Sequence, residues 1–418
     1  MFMNFIKTSF LSGLSTAISL LARLISTKIV AVYLGTNGMF LMGQLKDFLR
    51  LGNTIGSFGI ENGIVKYVSE YEKEKNKLSD IIGTSFKINL TSALIFSLSI
   101  LVFKNQIADF LQINFSENFY FIILILSVTS ASIHTCFLSI YNGLNKIKLY
   151  VFVNIFSNIV SAIILVFLVL KMEIVGAFYA LAINQIFSLL INILFFVIYR
   201  PFELNWIFKK FVKDNLKKLS SFSIMAVVGP TCLIISSFIV RDYIFDEFGP
   251  DYAGSWEAMW RISAIYLLFL ITTFKFYLIP TFSKLNDNEL KKEVFKIWKV
   301  VIPIIIIITF GVYITKDLII NILLSKEFIL INIIILFHLL GDIIKINCWV
   351  LGNIMIAKAK TKSFIFFQVE WSVIFVILTY IFIGKYGFVG VSIAYFITYI
   401  IHFSLLNIYF RKLLWTIS

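Results

Sequence analysis

No stretch of this sequence is polar for long enough to build a soluble domain. Charged residues are only 14% of the chain and hydrophobic ones 59%, where an ordinary globular protein has about 25% and roughly 45 to 50%, and this excludes the soluble globular class. Cysteine is nearly absent: Cys136, Cys232 and Cys348 lie far apart in separate apolar runs, so neither a disulfide framework nor a metal motif is expected, and packing is the role left to them. Histidine is as scarce, and His134, His338 and His402 each stand alone in an apolar stretch. No metal or cofactor is expected. No cleavable leader is expected either, because the first apolar run starts near Thr8, carries Arg23 and Lys28 and has no short core followed by a small-residue cleavage site, so it reads as the first span.

What the chain has instead is repetition. A bilayer core about 30 Å thick takes roughly 20 apolar residues per helical span, and such runs recur at about 8–33, 39–69, 81–103, 118–141, 150–170, 174–199, 218–240, 255–280, 295–315, 328–357, 363–383 and 386–410. The expectation is an all-α integral membrane protein of about 12 transmembrane helices. Basic residues cluster at one end and in alternate connections: Lys7, then Lys73, Lys75 and Lys77, Lys146 and Lys148, Arg200 to Lys218, Lys284 to Lys299, Lys358 to Lys362, and Arg411 with Lys412. The other connections hold only Lys104, Lys171, Arg241, Lys316, Lys326 and Lys385. The positive-inside rule then puts both termini in the cytoplasm. It also explains the net charge of +14 as topology, leaving no case for nucleic-acid binding. The polar stretch 200–217 reads as a cytoplasmic linker between an N-terminal six-helix lobe, 1–199, and a C-terminal one, 218–418, with equivalent orientation.

The exceptions carry the functional information. Nine basic residues fall inside spans: Arg23, Lys28, Lys46, Arg50, Lys66, Lys87, Arg261, Lys275 and Lys345. A central Arg or Lys costs about 2.5 to 3.5 kcal/mol on insertion scales, so nine facing lipid would oppose insertion by about 25 kcal/mol. Snorkelling is an equal alternative for Lys66 and Lys87, near span ends, but Arg23, Arg50 and Lys345 are too central. Lys46 and Arg50 share a helical face, and His338, Asp342, Lys345, Trp349 and Asn353 form one polar ridge. The internal acids are fewer: Asp47, Glu61, Asp342 and Glu370, with Glu257 at a span end. Either the two signs neutralise each other in the bundle core, or the basic excess lines a central, water-filled cavity. A cationic cavity attracts anionic, phosphate-bearing solutes and repels cationic drugs. Its candidate lining is Arg23, Lys28, Lys46, Arg50, Lys66, Arg261, Lys275 and Lys345, and Glu61, Asp342, Glu370 and His338 are candidates for ion coupling. Pro230, inside the seventh run, is expected to bend its helix.

With these residues in view, the stretch Gly59-Ile-Glu-Asn-Gly-Ile-Val-Lys-Tyr-Val68 resembles that of bacterial flippases for lipid-linked O-antigen and enterobacterial common antigen. So do Leu278-Ile-Pro-Thr281, Gly341-Asp-Ile-Ile-Lys345 and Ile356-Ala-Lys-Ala359. The resemblance implies membership of the multidrug, oligosaccharidyl-lipid and polysaccharide exporter superfamily, with a V-shaped cavity open alternately to each side. Its implied substrate is an undecaprenyl-pyrophosphate oligosaccharide, moved across the bacterial inner membrane during lipopolysaccharide or related polysaccharide biosynthesis. Membrane lipids, and the polymerase and chain-length regulator of the same pathway, are the other partners it implies. Lys28, Lys46, Asn62, Lys66, Tyr67, Arg241, Asp342 and Lys345 match the family pattern, whereas Arg50, Arg261 and Lys275 rest on the charge argument alone.

Two other functions remain open. A multidrug exporter of the same fold would need a cavity of the opposite charge. A polytopic polysaccharide polymerase usually carries a large outer loop, and the longest outer connections here, 104–117 and 241–254, are short. No enzymatic role is expected.

Overall fold

The structure is a computed structural model that describes residues 2–112, 118–220 and 223–415. Met1 and 416–418 lie outside the described residues, as do 113–117 in the expected outer connection 104–117 and 221–222. Helices account for nearly all of what is described, and there is no strand among those residues. They are α1 (Phe2–Tyr33), α2 (Gly35–Gly56), α3 (Glu61–Glu70), α4 (Lys75–Val102), α5 (Lys104–Phe110), α6 (Asn118–Gly143), α7 (Ile147–Tyr199) and α8 (Lys213–Ser220). The series continues with α9 (Ser223–Phe248), α10 (Pro250–Lys284), α11 (Asp287–Ile314), α12 (Lys316–Leu323), α13 (Ile331–Ala357), α14 (Thr361–Tyr386), α15 (Val389–Tyr409) and α16 (Arg411–Leu414).

Among the described residues nine helices are long and apolar enough to cross a membrane. Of the long helices outside that set, α2 carries Lys46, Asp47 and Arg50, whose charge lowers its hydropathy, whereas several side chains of α10 lie outside the described residues. The 53-residue α7 is long enough for two crossings and is broken at Glu173, where φ is 50° and ψ −126°. Gly176 permits this reversal: a Cβ there would run into the backbone carbonyl of Leu168.

The helices form two compact units. The first comprises Met1–Leu34 with Leu41–Thr231, and the second Gly35–Phe40 with Cys232–Ser418. In the first, α6 and α4 pack around α3, and both α1 and α6 pack on α7. Its core holds Ile60, Ile64, Ile140 and Phe137, and Phe137 meets the rings of Phe86 at 4.9 Å and Phe196 at 5.5 Å. Burying such side chains supplies about 1.5 to 3 kcal/mol each where water is the alternative. In the lipid-facing part, packing rather than water expulsion holds helices together. The segment 204–212, part of the expected linker, lies on α4: Lys87 donates to the Lys209 carbonyl at 2.5 Å and Val212 N–H to Thr84 Oγ1 at 3.3 Å. In the second unit α13 is central and touches α10, α11, α14 and α15.

Two sequence expectations need correction. The run 39–69 is two helices, because Ser57–Ile60 breaks it with Phe58 at φ 53° and Gly59 at φ 61°. The connection 241–254 is no loop. Helix α9 continues to Phe248 and α10 begins at Pro250, with Gly249 (φ 89°) between them, so Arg241 belongs to a helix and is buried.

Candidate functional site

Each unit carries its own polar cluster. In the first, Lys46, Arg50 and Lys66 are exposed and Lys28 is half-buried. Helical spacing puts Asp47 within reach of Arg50, and their atoms approach to 3.5 Å, but Asp47 is buried while Arg50 keeps 54% of its side-chain surface. Arg23, on α1, is exposed and feels the charge of Arg50 on α2. Two guanidinium groups within electrostatic reach repel each other, and an anion between them removes that repulsion. On α3, Lys66 Nζ stands 4.9 Å from the centre of the Tyr67 ring. Lys218 of α8 donates to the Tyr71 hydroxyl at 2.9 Å and lies 5.9 Å from the Tyr67 ring, and this hydrogen bond raises its pKa. Glu61 accepts from Ser57 Oγ at 2.7 Å, across the break between α2 and α3.

The second unit treats its charges differently. Asp342, fully buried on α13, accepts from Ser263 and Tyr266 of α10 and, at 2.7 Å, from Tyr395 of α15. Lys345 lies 3.4 Å from the same carboxylate and donates to Tyr395 at 2.9 Å. Its ammonium also sits over Trp260 at 4.9 Å and Trp349 at 5.3 Å, so aromatic faces and the carboxylate enclose most of it. His338 stacks on Tyr395 at 4.4 Å, with Nε2 3.8 Å from Asp342. The ridge on α13 therefore faces partners on α10 and α15. Charge neutralisation, one of the two alternatives left by the sequence, describes Asp342 and Lys345.

A second buried cluster joins α9 to α10. Glu257 is bound by Arg241 at 2.9 Å and by Arg261 at 3.0 Å, and Arg241 lies over Trp256. Two guanidiniums on one carboxylate leave one positive charge, and Arg261 keeps 12% of its side-chain surface open. The side chain of Lys275 lies outside the described residues. A third cluster pairs Glu370 of α14 with His402 of α15 at 2.6 Å, both mostly buried, and leaves Glu370 Oε1 without a hydrogen bond. Among the described residues no group of His, Cys, Asp and Glu could hold a metal ion.

A family model described as "Polysaccharide biosynthesis protein" matches residues 20–331, which spans both units. The chain belongs to the polysaccharide biosynthesis protein family. Two curated relatives of this family member, the lipid III flippases of Escherichia coli (strain K12) and Shigella flexneri, are each 26% identical over 411 residues, covering 96% of this chain and 97% of theirs. Among solved structures, the inward-facing conformation of a multidrug resistance MATE family transporter of the MOP superfamily superposes with a TM-score of 0.79 over 94% of this chain and 95% of that one, at 12% identity. A MOP superfamily transporter from Pyrococcus furiosus, described as having a binding pocket of reversed polarity, gives 0.66 over 96% of both chains at 11% identity. The family member thus has the MOP transporter fold.

Three partnerships are not legible in the sequence: it places Arg241 in an outer connection, although that residue matches the family pattern, Lys218 among the basic loops and His402 alone in an apolar stretch, whereas the structure joins them to Glu257, Tyr71 and Glu370. A salt bridge between residues 16 apart across a helix junction, or 32 apart on separate helices, leaves no periodic trace. Gly249-Pro250 was the available signal for the junction, since proline favours the first turn of a helix.

Proposed function

We propose that this polysaccharide biosynthesis protein is a flippase that carries lipid-linked oligosaccharide from the cytoplasmic to the outer leaflet of the bacterial inner membrane by alternating access. The observation that carries the reading is the unequal treatment of charge. Arg23, Lys46, Arg50 and Lys66 are exposed, while Asp47, Glu257 and Asp342 are buried against basic partners. A cationic surface on helices of a membrane-embedded chain suits a pyrophosphate headgroup, which accepts charge-assisted hydrogen bonds that a cationic drug cannot make. The full-length similarity to two lipid III flippases supports the same substrate class.

In this reading the chain crosses the membrane twelve times with both ends in the cytoplasm, as two six-helix lobes, 1–199 and 218–418, joined by 200–217. Arg23, Lys28, Lys46, Arg50 and Lys66 meet the headgroup first. In the second unit Arg261, Lys275 and Lys345 are the further candidate contacts. Among the coupling candidates Glu61, Asp342, Glu370 and His338, Glu370 is favoured. Asp342 already accepts from four donors, whereas among the described residues Glu370 has His402 and an Oε1 with no hydrogen bond. The polymerase and chain-length regulator that follow in such a pathway would receive the translocated unit.

The test is reconstitution of the full-length protein into vesicles with a fluorescent polyprenyl-pyrophosphate oligosaccharide on one leaflet. Transport is read as access of a membrane-impermeant quencher. Movement that depends on the protein and stops in a variant carrying alanine at Arg23, Lys46 and Arg50 is expected. Equal movement in that variant, or movement of cationic dyes instead, would overturn the reading.

A further inference from the structure

Away from these clusters, one end of the second unit has more basic residues than orientation in the membrane requires. The start of α11 and the ends of α13 and α15 meet there with α16. A cleft of about 500 Å³ between them is lined by Lys291, Lys358, Lys360 and Lys412, with Asp287 as its one acidic wall. The same lining includes buried Leu290 and Ile354 and half-buried Leu413, an apolar floor behind the lysines. A second cleft, of about 760 Å³, shares Asn288 and Lys291 with the first and adds Lys292, Lys296 and Lys299 along one face of α11. Two basic clefts thus adjoin across Lys291.

We infer that this pair of clefts is a binding site for an anionic phospholipid with two phosphates, of the cardiolipin type. Basic pockets between spans on the cytoplasmic side recognise such headgroups. Two adjoining clefts suit two phosphates on one short glycerol bridge, and an apolar floor beneath a basic rim suits a lipid better than a soluble anion. The rim also stands at the right depth. Trp415 is 57% exposed and packs edge-on against Phe295 at 5.5 Å, and Tyr409, in the lining of the first cleft, is exposed too; amphipathic rings of this kind sit at the headgroup level. Lys360 is held ready, its ammonium 5.6 Å from the centres of both the Tyr409 and Phe410 rings. Lys358 ties the rim together through the Leu285 carbonyl at 2.7 Å. The site does not depend on the proposed transport, because binding is measured without turnover.

The experiment is native mass spectrometry of the purified full-length protein titrated with cardiolipin, phosphatidylglycerol, phosphatidylcholine or inorganic phosphate. Thermal melting of each variant checks that it is folded. The double variants Lys360→Ala/Lys412→Ala and Lys292→Ala/Lys296→Ala should each bind cardiolipin roughly tenfold or more weakly, as expected for loss of two basic residues near a headgroup. The corresponding double changes to arginine keep the charge and should retain binding even where an alanine variant does not fold. Lys146→Ala/Lys148→Ala, an exposed pair in the first unit, should change nothing. An equal loss in that control pair, failure of the arginine variants to bind, equal affinity for phosphatidylcholine, or displacement of cardiolipin by millimolar inorganic phosphate would overturn the inference.

Discussion

Replacing Asp342 by asparagine should destabilise the second unit far more than replacing Lys345 by methionine, although the two form one ion pair. Asp342 has no exposed surface, and the side chain of Lys345 keeps 8% of its own. Removing one partner of a buried pair costs about 3 to 5 kcal/mol, because the other charge is stranded. In Asp342→Asn the Lys345 ammonium keeps the Tyr395 hydroxyl and the faces of Trp260 and Trp349, contacts that return about 0.5 to 2 kcal/mol. The expected net loss is about 2 to 4 kcal/mol. In Lys345→Met the carboxylate still accepts from Ser263, Tyr266 and Tyr395. Hydrogen bonds to a charged group are worth about 1.5 to 3 kcal/mol each, so that variant should lose only about 1 kcal/mol. The double variant has no stranded charge and should be more stable than Asp342→Asn by about 2 kcal/mol, a coupling readable in a double-mutant cycle. Equilibrium unfolding in a graded mixture of mild detergent and dodecyl sulfate measures all three. If Asp342→Asn unfolds with wild-type stability, or if adding Lys345→Met makes it worse, the neutralised network is not what holds α10, α13 and α15 together.

Three further outcomes are expected. Glu257→Gln would leave Arg241 buried beside Arg261 with only neutral oxygens, and the loss should be about 3 kcal/mol by the same unfolding assay, whereas Arg261→Ala should cost less than half of that. Gly254→Val would drive a side chain into the backbone of Thr36 and separate it from Asp251; such overpacking costs about 1 to 3 kcal/mol, visible as a lower melting temperature. Arg23→Ala removes an exposed member of a like-charge group and should change stability by no more than about 0.5 kcal/mol, and Arg50→Ala, which also takes the partner 3.5 Å from Asp47, should cost no more than about 1 kcal/mol. Loss of one charge-assisted bond to a phosphate is nonetheless worth about 1.5 to 3 kcal/mol, and the initial flipping rate should drop roughly tenfold or more in each.

The helical membrane architecture was legible because apolar runs of the required length repeat from one end of the chain to the other, and charge alternation gave them a direction. Intramembrane charges were legible for the same reason, as exceptions to a pattern. Asp342 and Lys345 could be paired by their three-residue spacing on one helix, but spacing could not say that Ser263, Tyr266 and Tyr395 close around them. The break at Ser57–Ile60 was hidden because a single glycine in an apolar run is ordinary in a span, and only the positive φ of Phe58 and Gly59 reveals the turn. Arg241 was misplaced because charged residues 241–247 look like a loop, whereas in the fold they continue α9 up to the Gly249 junction. Exposure was illegible throughout. The contrast between open Arg50 and enclosed Lys345, on which the proposed function turns, depends on which neighbouring helices each one faces.

Sidedness of the lipid-linked intermediate in cells lacking the gene tests the central claim most directly. Membranes from such cells would be probed with a glycan-binding reagent before and after opening the cytoplasmic face. A flippase predicts complete repeat units accumulating on the cytoplasmic leaflet, restored to the outer leaflet by the wild-type chain and not by one with alanine at Arg23, Lys46 and Arg50. Complete units already on the outer leaflet, or units with altered composition, would contradict it.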